Sequence, residues 1–119
     1  METNNYLNQL KEKMDTYVHY AYKISKKFPK DEIYGVTSQF RRASLSIILN
    51  IIEGYARKRQ AVKQNFWEIS YGSLQESKYL LGFCLKEEYM GAEDFKKLMP
   101  LAEEIGAMLW RALAPLSLK

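Results

Sequence analysis

The apolar residues of this chain recur at alternating intervals of three and four positions over four long stretches, and this spacing constrains the fold more than any other feature. In the first stretch it runs without a slip through Leu7, Leu10, Met14, Tyr17, Ala21, Ile24 and Phe28. Such spacing places apolar side chains along one face of an α-helix. No stretch alternates with a period of two, and no hairpin signal such as Asn-Gly joins two runs. The sequence therefore predicts an all-α protein.

Local start and stop signals divide the chain into four predicted helices. Pro29 ends the first helix, because the residue before a proline is disfavoured in the α region. Thr37 is a good N-cap for the second helix, and Asp31 is the competing start. Pro100 lies inside the fourth helix and is expected to kink it. The predicted helices cover approximately residues 5–28, 37–56, 61–87 and 92–114.

The short connections between these helices predict how they are arranged. Connections of a few residues make consecutive long helices antiparallel neighbours, so the expected fold is an antiparallel up-down-up-down four-helix bundle. The 119 residues are expected to form one domain, residues 1–119, around a single core. Hydrophobic residues make up 47% of the chain and charged residues 27%, which excludes intrinsic disorder.

The second predicted helix carries more apolar surface than one core requires. Its first apolar stripe consists of Val36, Phe40, Ala43, Ile47 and Ile51. Its second stripe consists of Leu45, Ile48 and Ile52, and Leu49 lies between the two stripes. Because contiguous apolar patches are rare on monomers, we expect the first stripe to face the core and the second to face another subunit. A helix set unusually deep in its own bundle is the alternative. Tyrosine and tryptophan are enriched at interfaces, and the further interface candidates are Trp67, Tyr71 and Trp110.

A polar stripe also follows the second helix at helical spacing. Its members are Gln39, Arg42, Ser46, Asn50, Glu53 and Arg57. The mixture of donors and acceptors predicts a partly buried hydrogen-bond network that fixes helix register, with Ser73 and Glu76 of the third helix as its partners. Glu53 precedes Arg57 by four positions, which is the favourable order for an ion pair.

Basic residues concentrate in the middle of the chain, although the formal net charge is only +4. Residues 23–63 hold ten basic and three acidic side chains. This asymmetry indicates a polyanionic partner, and a solvated surface that maintains solubility is the alternative. The connections before and after the second helix lie at opposite ends of a bundle, so two separate basic clusters are expected. The candidate nucleic-acid-binding residues are Lys26, Lys27, Lys30, Arg41, Arg57, Lys58, Arg59 and Lys63.

The residue types that carry catalysis or bind metals are sparse. His19 is the single histidine, has only Asp15 at helical spacing, and is predicted at the surface or an interface. Cys84 is the single cysteine, so it has no partner for an internal disulfide or a zinc site. The chain has neither a Gly-rich phosphate loop nor an apolar run of membrane-spanning length. We therefore expect a non-enzymatic cytoplasmic protein without cofactor, metal or membrane partner.

Three segments carry a resemblance to a known family: "FPKDEIYGVTSQFRRASLSI", "NIIEGYARK" and "ISYGSLQES". Over residues 28–76 the chain resembles the four-helix bundle proteins encoded in intervening sequences of bacterial 23S rRNA genes. The resemblance implies a ring-like homopentamer. It also implies kinship with the accessory variability determinant of diversity-generating retroelements, a basic pentamer that works with a reverse transcriptase and nucleic acid.

Two functions follow from the combined pattern. The first is an RNA- or DNA-binding, or ribonucleoprotein, scaffold in which the ring repeats the basic clusters of each subunit. The alternative is a protein interaction scaffold whose basic surface binds an acidic protein partner without touching nucleic acid.

Overall fold

The computed structural model describes residues 2–117 and the side chains of residues 5–114. The predicted domain also includes residues 1, 118 and 119, which lie outside this range. The helices are α1 (Glu2–Ser25), α2 (Val36–Tyr55), α3 (Gln60–Lys86) and α4 (Ala92–Ser117), with a short 3-10 helix at Lys30–Glu32. Residues 2–117 contain no β-strand, and the predicted all-α class is confirmed.

Each helix packs against its neighbour in the chain, and α1 closes the bundle by packing against α4. Over the described residues the backbones of α1 and α3, and those of α2 and α4, do not approach each other across the core. With connections this short, such pairing is that of the predicted four-helix bundle. The bundle measures 44 × 25 × 20 Å, so its two ends are well separated.

The core is formed by one apolar stripe from each helix. Its fully buried large side chains include Leu10, Met14, Tyr17, Phe40, Ile47, Ile51, Leu74, Leu81, Leu98, Ile105 and Leu109. Each aliphatic side chain in this set stabilises the fold by about 1.5–3 kcal/mol through its removal from water. The first apolar stripe of α2 faces this core, as predicted.

The connection between α1 and α2 differs in detail from the prediction. Helix α1 ends at Ser25, three residues early, because the amides of residues 26–28 bond to carbonyls only three positions back. Helix α2 begins at Val36, one residue before the predicted cap Thr37, whose side chain is buried. Glu32 takes the capping role instead, and its Oε1 accepts a hydrogen bond from the Val36 amide at 3.1 Å.

Glu32 also ties this connection to the one between α3 and α4. The Tyr89 hydroxyl donates a hydrogen bond to Glu32 Oε2 at 2.8 Å. This bond and the Val36 amide lower the pKa of Glu32, while the carboxylate raises the pKa of Tyr89 from its ordinary value near 10 to about 12. One ionised carboxylate therefore holds two connections together at the same end of the bundle.

The fourth helix continues across Pro100 to Ser117. A proline in a helix removes one backbone donor. Helix α4 was predicted to end near residue 114, and in the structure it continues to Ser117.

Candidate nucleic-acid interface

The structure places the basic candidates at two opposite ends of the bundle. One group lies where α1 connects to α2, and the other where α2 connects to α3. Helix α2 has 20 residues and therefore separates the two groups by about 30 Å.

At the α1–α2 end, Lys26, Lys27 and Lys30 are exposed. Arg41 differs from them because it packs between helices. Its Nε donates to Ser25 Oγ at 2.7 Å, and its guanidinium lies 5.3 Å from the centre of the Tyr22 ring. Arg41 thus joins α2 to the end of α1.

At the α2–α3 end, Lys58 and Arg59 are exposed on the connecting turn. Arg57 forms the predicted ion pair with Glu53 at 2.8 Å and also lies 5.2 Å from the centre of the Phe66 ring. Lys63 is half-buried in the first turn of α3. This end therefore carries four basic side chains within positions 57–63 of the chain.

The close packing of α2 on α3 at this end depends on Gly54. A Cβ at Gly54 would lie only 2.5 Å from the indole ring of Trp67. The same indole donates a hydrogen bond to the carbonyl of Ile51 at 3.3 Å. Trp67 is only 5% exposed, so its predicted place at a subunit interface is wrong. Its large apolar ring fills the space that Gly54 leaves open within its own subunit.

The second apolar stripe of α2 lies on the outside of the bundle. Leu45, Leu49 and Ile52 are exposed, Leu49 to 52%, while Ile48 is half-buried and packs against the core. On α3, Ile69 is exposed as well and was not predicted as part of this surface. The sequence offered one indication of this position. Ile69 lies four residues before Ser73, and Ser73 faces α2.

Tyr71 and Trp110 form a second aromatic surface. Their ring centres are 5.3 Å apart, across α3 and α4, and Trp110 is 62% exposed. Because α4 does not pack against α2, this pair is separate from the exposed stripe of α2. The sequence had grouped both surfaces into one set of interface candidates, and the structure divides them.

The predicted polar network is present in part. Ser46 Oγ and Ser73 Oγ are 2.9 Å apart, and the Asn50 side-chain amide donates to the Ser46 hydroxyl and carbonyl at 2.8 Å each. The contact between Ser46 and Ser73 joins α2 to α3, whereas both Asn50 bonds lie within α2. Three predicted members, Gln39, Arg42 and Glu76, are exposed side chains outside the network, so a buried role for them is wrong. Their positions lie on the solvent side of the stripe.

A fully buried polar network was missed by the sequence analysis. The hydroxyl groups of Tyr17 and Ser77 are 2.7 Å apart, and those of Ser77 and Ser44 are 2.9 Å apart, so three helices meet at Ser77. Ser70 adds a bond to the Ile47 carbonyl at 2.6 Å. Burial raises the pKa of Tyr17, which keeps the phenol neutral. The sequence feature that could have predicted this network is the presence of serines at helical spacing within the apolar stripes.

The remaining chemical candidates are plain surface and core residues. His19 and Asp15 are exposed and 3.3 Å apart along α1. Burial, with a contribution from Glu32, raises the pKa of the Cys84 thiol to about 11, so this side chain stays protonated and poorly nucleophilic. Over the described part of the chain, His, Cys, Asp and Glu form no group of three that could hold a metal ion. No helix of this part has both the length and the apolar character that crossing a bilayer requires.

These features define a small four-helix bundle whose distinctive surfaces are a basic cluster at each end and exposed apolar residues on α2. The sequence profile of the 23S rRNA-intervening sequence proteins matches residues 7–111, and the chain belongs to that family. The predicted family membership is thereby confirmed.

The fold is similar to a crystal structure of a protein of unknown function from the S23 ribosomal protein family of Bacteroides thetaiotaomicron VPI-5482. The TM-score is 0.82 at 21% sequence identity, with 88% of this chain and 98% of the other chain covered. At this identity the likeness establishes the fold alone. The search among curated proteins gave no match.

Proposed function

We propose that this protein is a non-enzymatic scaffold that assembles with copies of itself and binds nucleic acid through its basic clusters. The observation that carries the proposal is that three basic side chains at the α2–α3 end have no acidic partner among the described residues. Among the described residues, ion pairs join Lys13 to Glu104, His19 to Asp15 and Arg57 to Glu53. Lys58, Arg59 and Lys63 have no carboxylate at ion-pair distance within that part of the chain.

Unpaired cations grouped at one end of a bundle suit the phosphate backbone of a nucleic acid. Each phosphate that a lysine or arginine neutralises releases a condensed counterion, which makes the binding favourable and salt-dependent. A single subunit neutralises only a few phosphates and therefore binds weakly. Repeating the cluster around an assembly multiplies the affinity through avidity.

Self-association is supported by the exposed apolar side chains of Leu45, Leu49 and Ile52 on α2. Five subunits is the expectation from the family resemblance. The relationship to the accessory variability determinant stays a prediction, and so does the cytoplasmic location. The family's name associates these proteins with 23S rRNA, which makes RNA the first polymer to test.

The test measures binding of labelled RNA and DNA oligonucleotides of about 30 nucleotides across a range of salt concentrations. We expect steep salt dependence and a strong loss of affinity when Arg57, Lys58 and Arg59 are all changed to alanine. The logarithm of the binding constant falls linearly with the logarithm of the salt concentration. Loss of three phosphate contacts makes this slope shallower by about 2 for single strands. A charge-matched comparison changes three exposed lysines at the opposite end of the bundle, Lys86, Lys96 and Lys97, to alanine, and it should weaken binding less than the triple change does.

Sedimentation of each variant checks that assembly is intact. Binding that survives the Arg57, Lys58 and Arg59 changes at physiological salt contradicts the proposal. So does a wild-type protein that binds neither polymer at low salt. Either result favours the alternative, in which the basic surface binds an acidic protein.

A further inference from the structure

Lysines from two different helices lie over one aromatic ring at the α2–α3 end. Lys11 Nζ is 5.6 Å from the centre of the Tyr55 ring, and Lys63 Nζ is also 5.6 Å from it. Lys63 Nζ is in addition 5.9 Å from the centre of the Trp67 ring. We call Lys11, Tyr55 and Lys63 the Tyr55 cluster. Lys11 was not among the predicted binding residues.

All three residues of the Tyr55 cluster lie on helical backbone, Lys11 on α1, Tyr55 on α2 and Lys63 on α3. Tyr55 is the last residue of α2, and Lys63 lies in the first turn of α3, where its amide bonds to the Arg59 carbonyl at 3.0 Å. Trp67 holds the two helices together beneath the cluster through its bond to Ile51. A site whose parts are already ordered loses less entropy when a ligand binds.

No described carboxylate offsets the positive charge of the Tyr55 cluster. Neither Lys11 nor Lys63 has a carboxylate within ion-pair distance among the described residues, whereas Lys13, two positions from Lys11, pairs with Glu104 at 3.3 Å. An aromatic face attracts an ammonium group but does not neutralise it. Two full positive charges therefore flank a tyrosine ring that is 45% exposed.

We propose that the Tyr55 cluster binds single-stranded nucleic acid, with one base stacked on Tyr55 and the adjacent phosphates on Lys11 and Lys63. The inference rests on the proposed function and adds the form of nucleic acid to it. Aromatic side chains between cations are the recurring platform for single strands, because every base has a face that stacks. A duplex keeps its bases stacked on one another, so it meets only the lysines.

The first test compares Tyr55→Leu, which removes the ring, with Tyr55→Phe, which keeps it. Binding of a 15-nucleotide oligo(U) and of a 15-base-pair duplex is measured by fluorescence anisotropy at fixed salt. We expect Tyr55→Leu to weaken oligo(U) binding by about 5- to 100-fold, as for the loss of one base–aromatic stack. Tyr55→Phe binds like the wild type, and duplex affinity changes little in either variant.

The second test compares Lys11→Gln with Lys13→Gln, which removes the same charge from the same helix. Lys11→Gln lowers the salt slope for oligo(U) by about 0.7, the value for one phosphate contact on a single strand. Lys13→Gln leaves the slope unchanged. Equal effects of the two changes contradict a specific role for Lys11. This test stands even if Tyr55→Leu does not fold, which circular dichroism and thermal melting establish for each variant.

The outcomes separate this inference from the proposed function. If Tyr55→Leu binds oligo(U) as tightly as the wild type does, the proposed role of the Tyr55 cluster is wrong. It is also wrong if Tyr55→Leu loses as much affinity for the duplex as for oligo(U). In both cases the proposed function stands if the triple change of Arg57, Lys58 and Arg59 still weakens binding. A wild-type protein that binds no nucleic acid at low salt overturns both.

Discussion

Glu88 adopts a left-handed backbone conformation, with φ at 63°, and no other described non-glycine residue has a positive φ. It follows the C-cap of α3, where the Tyr89 amide bonds to the Cys84 carbonyl at 2.8 Å and the Glu88 amide to the Leu85 carbonyl at 3.0 Å. This pattern is the Schellman motif, whose left-handed position is usually glycine. The side chain of Glu88 therefore strains the backbone.

The change Glu88→Gly is expected to raise the free energy of unfolding by about 0.5–1 kcal/mol. Relief of the left-handed strain outweighs the greater entropy that glycine gives the unfolded chain. The measurement is the midpoint of urea unfolding. Glu87→Gly is the matched control, because Glu87 carries the same charge at a right-handed φ of −81°, and this change should not stabilise the protein. Equal effects at both positions would contradict the strain argument.

Gly54 and Gly72 are both helical glycines, but their surroundings differ. A Cβ at Gly54 would meet the Trp67 ring and lie 3.1 Å from the Lys63 carbonyl, whereas one at Gly72 would meet no heavy atom within 4 Å beyond its chain neighbours and the local helix backbone. Gly54→Ala is expected to lower the free energy of unfolding by about 1–3 kcal/mol through overpacking. Gly72→Ala should raise it by about 0.5–1 kcal/mol, because alanine favours the helix. Urea unfolding of both variants checks the opposite signs, and destabilisation by both would refute the steric explanation.

At the scale of elements, Glu32 connects the start of α2 with the turn between α3 and α4. Because its pKa is lower in the folded protein than in the unfolded chain, its ionisation stabilises the fold. This contribution is fully present above the unfolded value of about 4.3 and is lost as the pH falls through the lower folded value. The stabilisation by Tyr89 depends on pH in the opposite direction. It is present below pH 10 and is lost as the pH rises through the folded pKa of about 12.

We therefore expect Glu32→Gln to be less stable than the wild type at pH 7 and to lose less stability as the solution is acidified below about pH 4.3. Urea unfolding at a series of pH values measures both effects. Asp31→Asn serves as the control, because Asp31 is exposed and has no part in these bonds. If the two variants follow the same pH profile, Glu32 does not couple the two connections.

At the scale of the whole molecule, the exposed stripe on α2 is expected to join subunits. Leu49→Glu adds a charge at a position that is half exposed in the subunit, so it should break the assembly and leave a folded monomer. This position tests the interface more cleanly than Ile48, which packs partly against the core. Sedimentation velocity and circular dichroism measure the two outcomes.

Tyr79→Glu is the control for the assembly test, because Tyr79 is exposed on α3 and does not belong to the stripe. We expect it to keep the wild-type assembly. A wild-type protein that sediments as a monomer at micromolar concentration would contradict self-association. Loss of assembly in both variants would show that the effect is not specific to the α2 face.

The sequence by itself determined the features that depend on one helix at a time. The intervals of three and four predicted the helices, and the two stripes of α2 showed which residues enter the core. The ion pair of Glu53 and Arg57 followed from a separation of four positions. These features are predictable because the period of the α-helix fixes which neighbouring residues share a face.

Only the tertiary structure decided which side chains from different helices meet. A tryptophan at helical spacing is compatible with both a core and a subunit interface, so the sequence alone did not place Trp67. The structure assigns Trp67 to the core, because its buried ring packs against Gly54. Lys11 reaches Tyr55, and Tyr17 reaches Ser77, through the relative rotation and register of packed helices. The period of a single helix leaves rotation and register open, because they are set by how the side chains of all four helices fill one core.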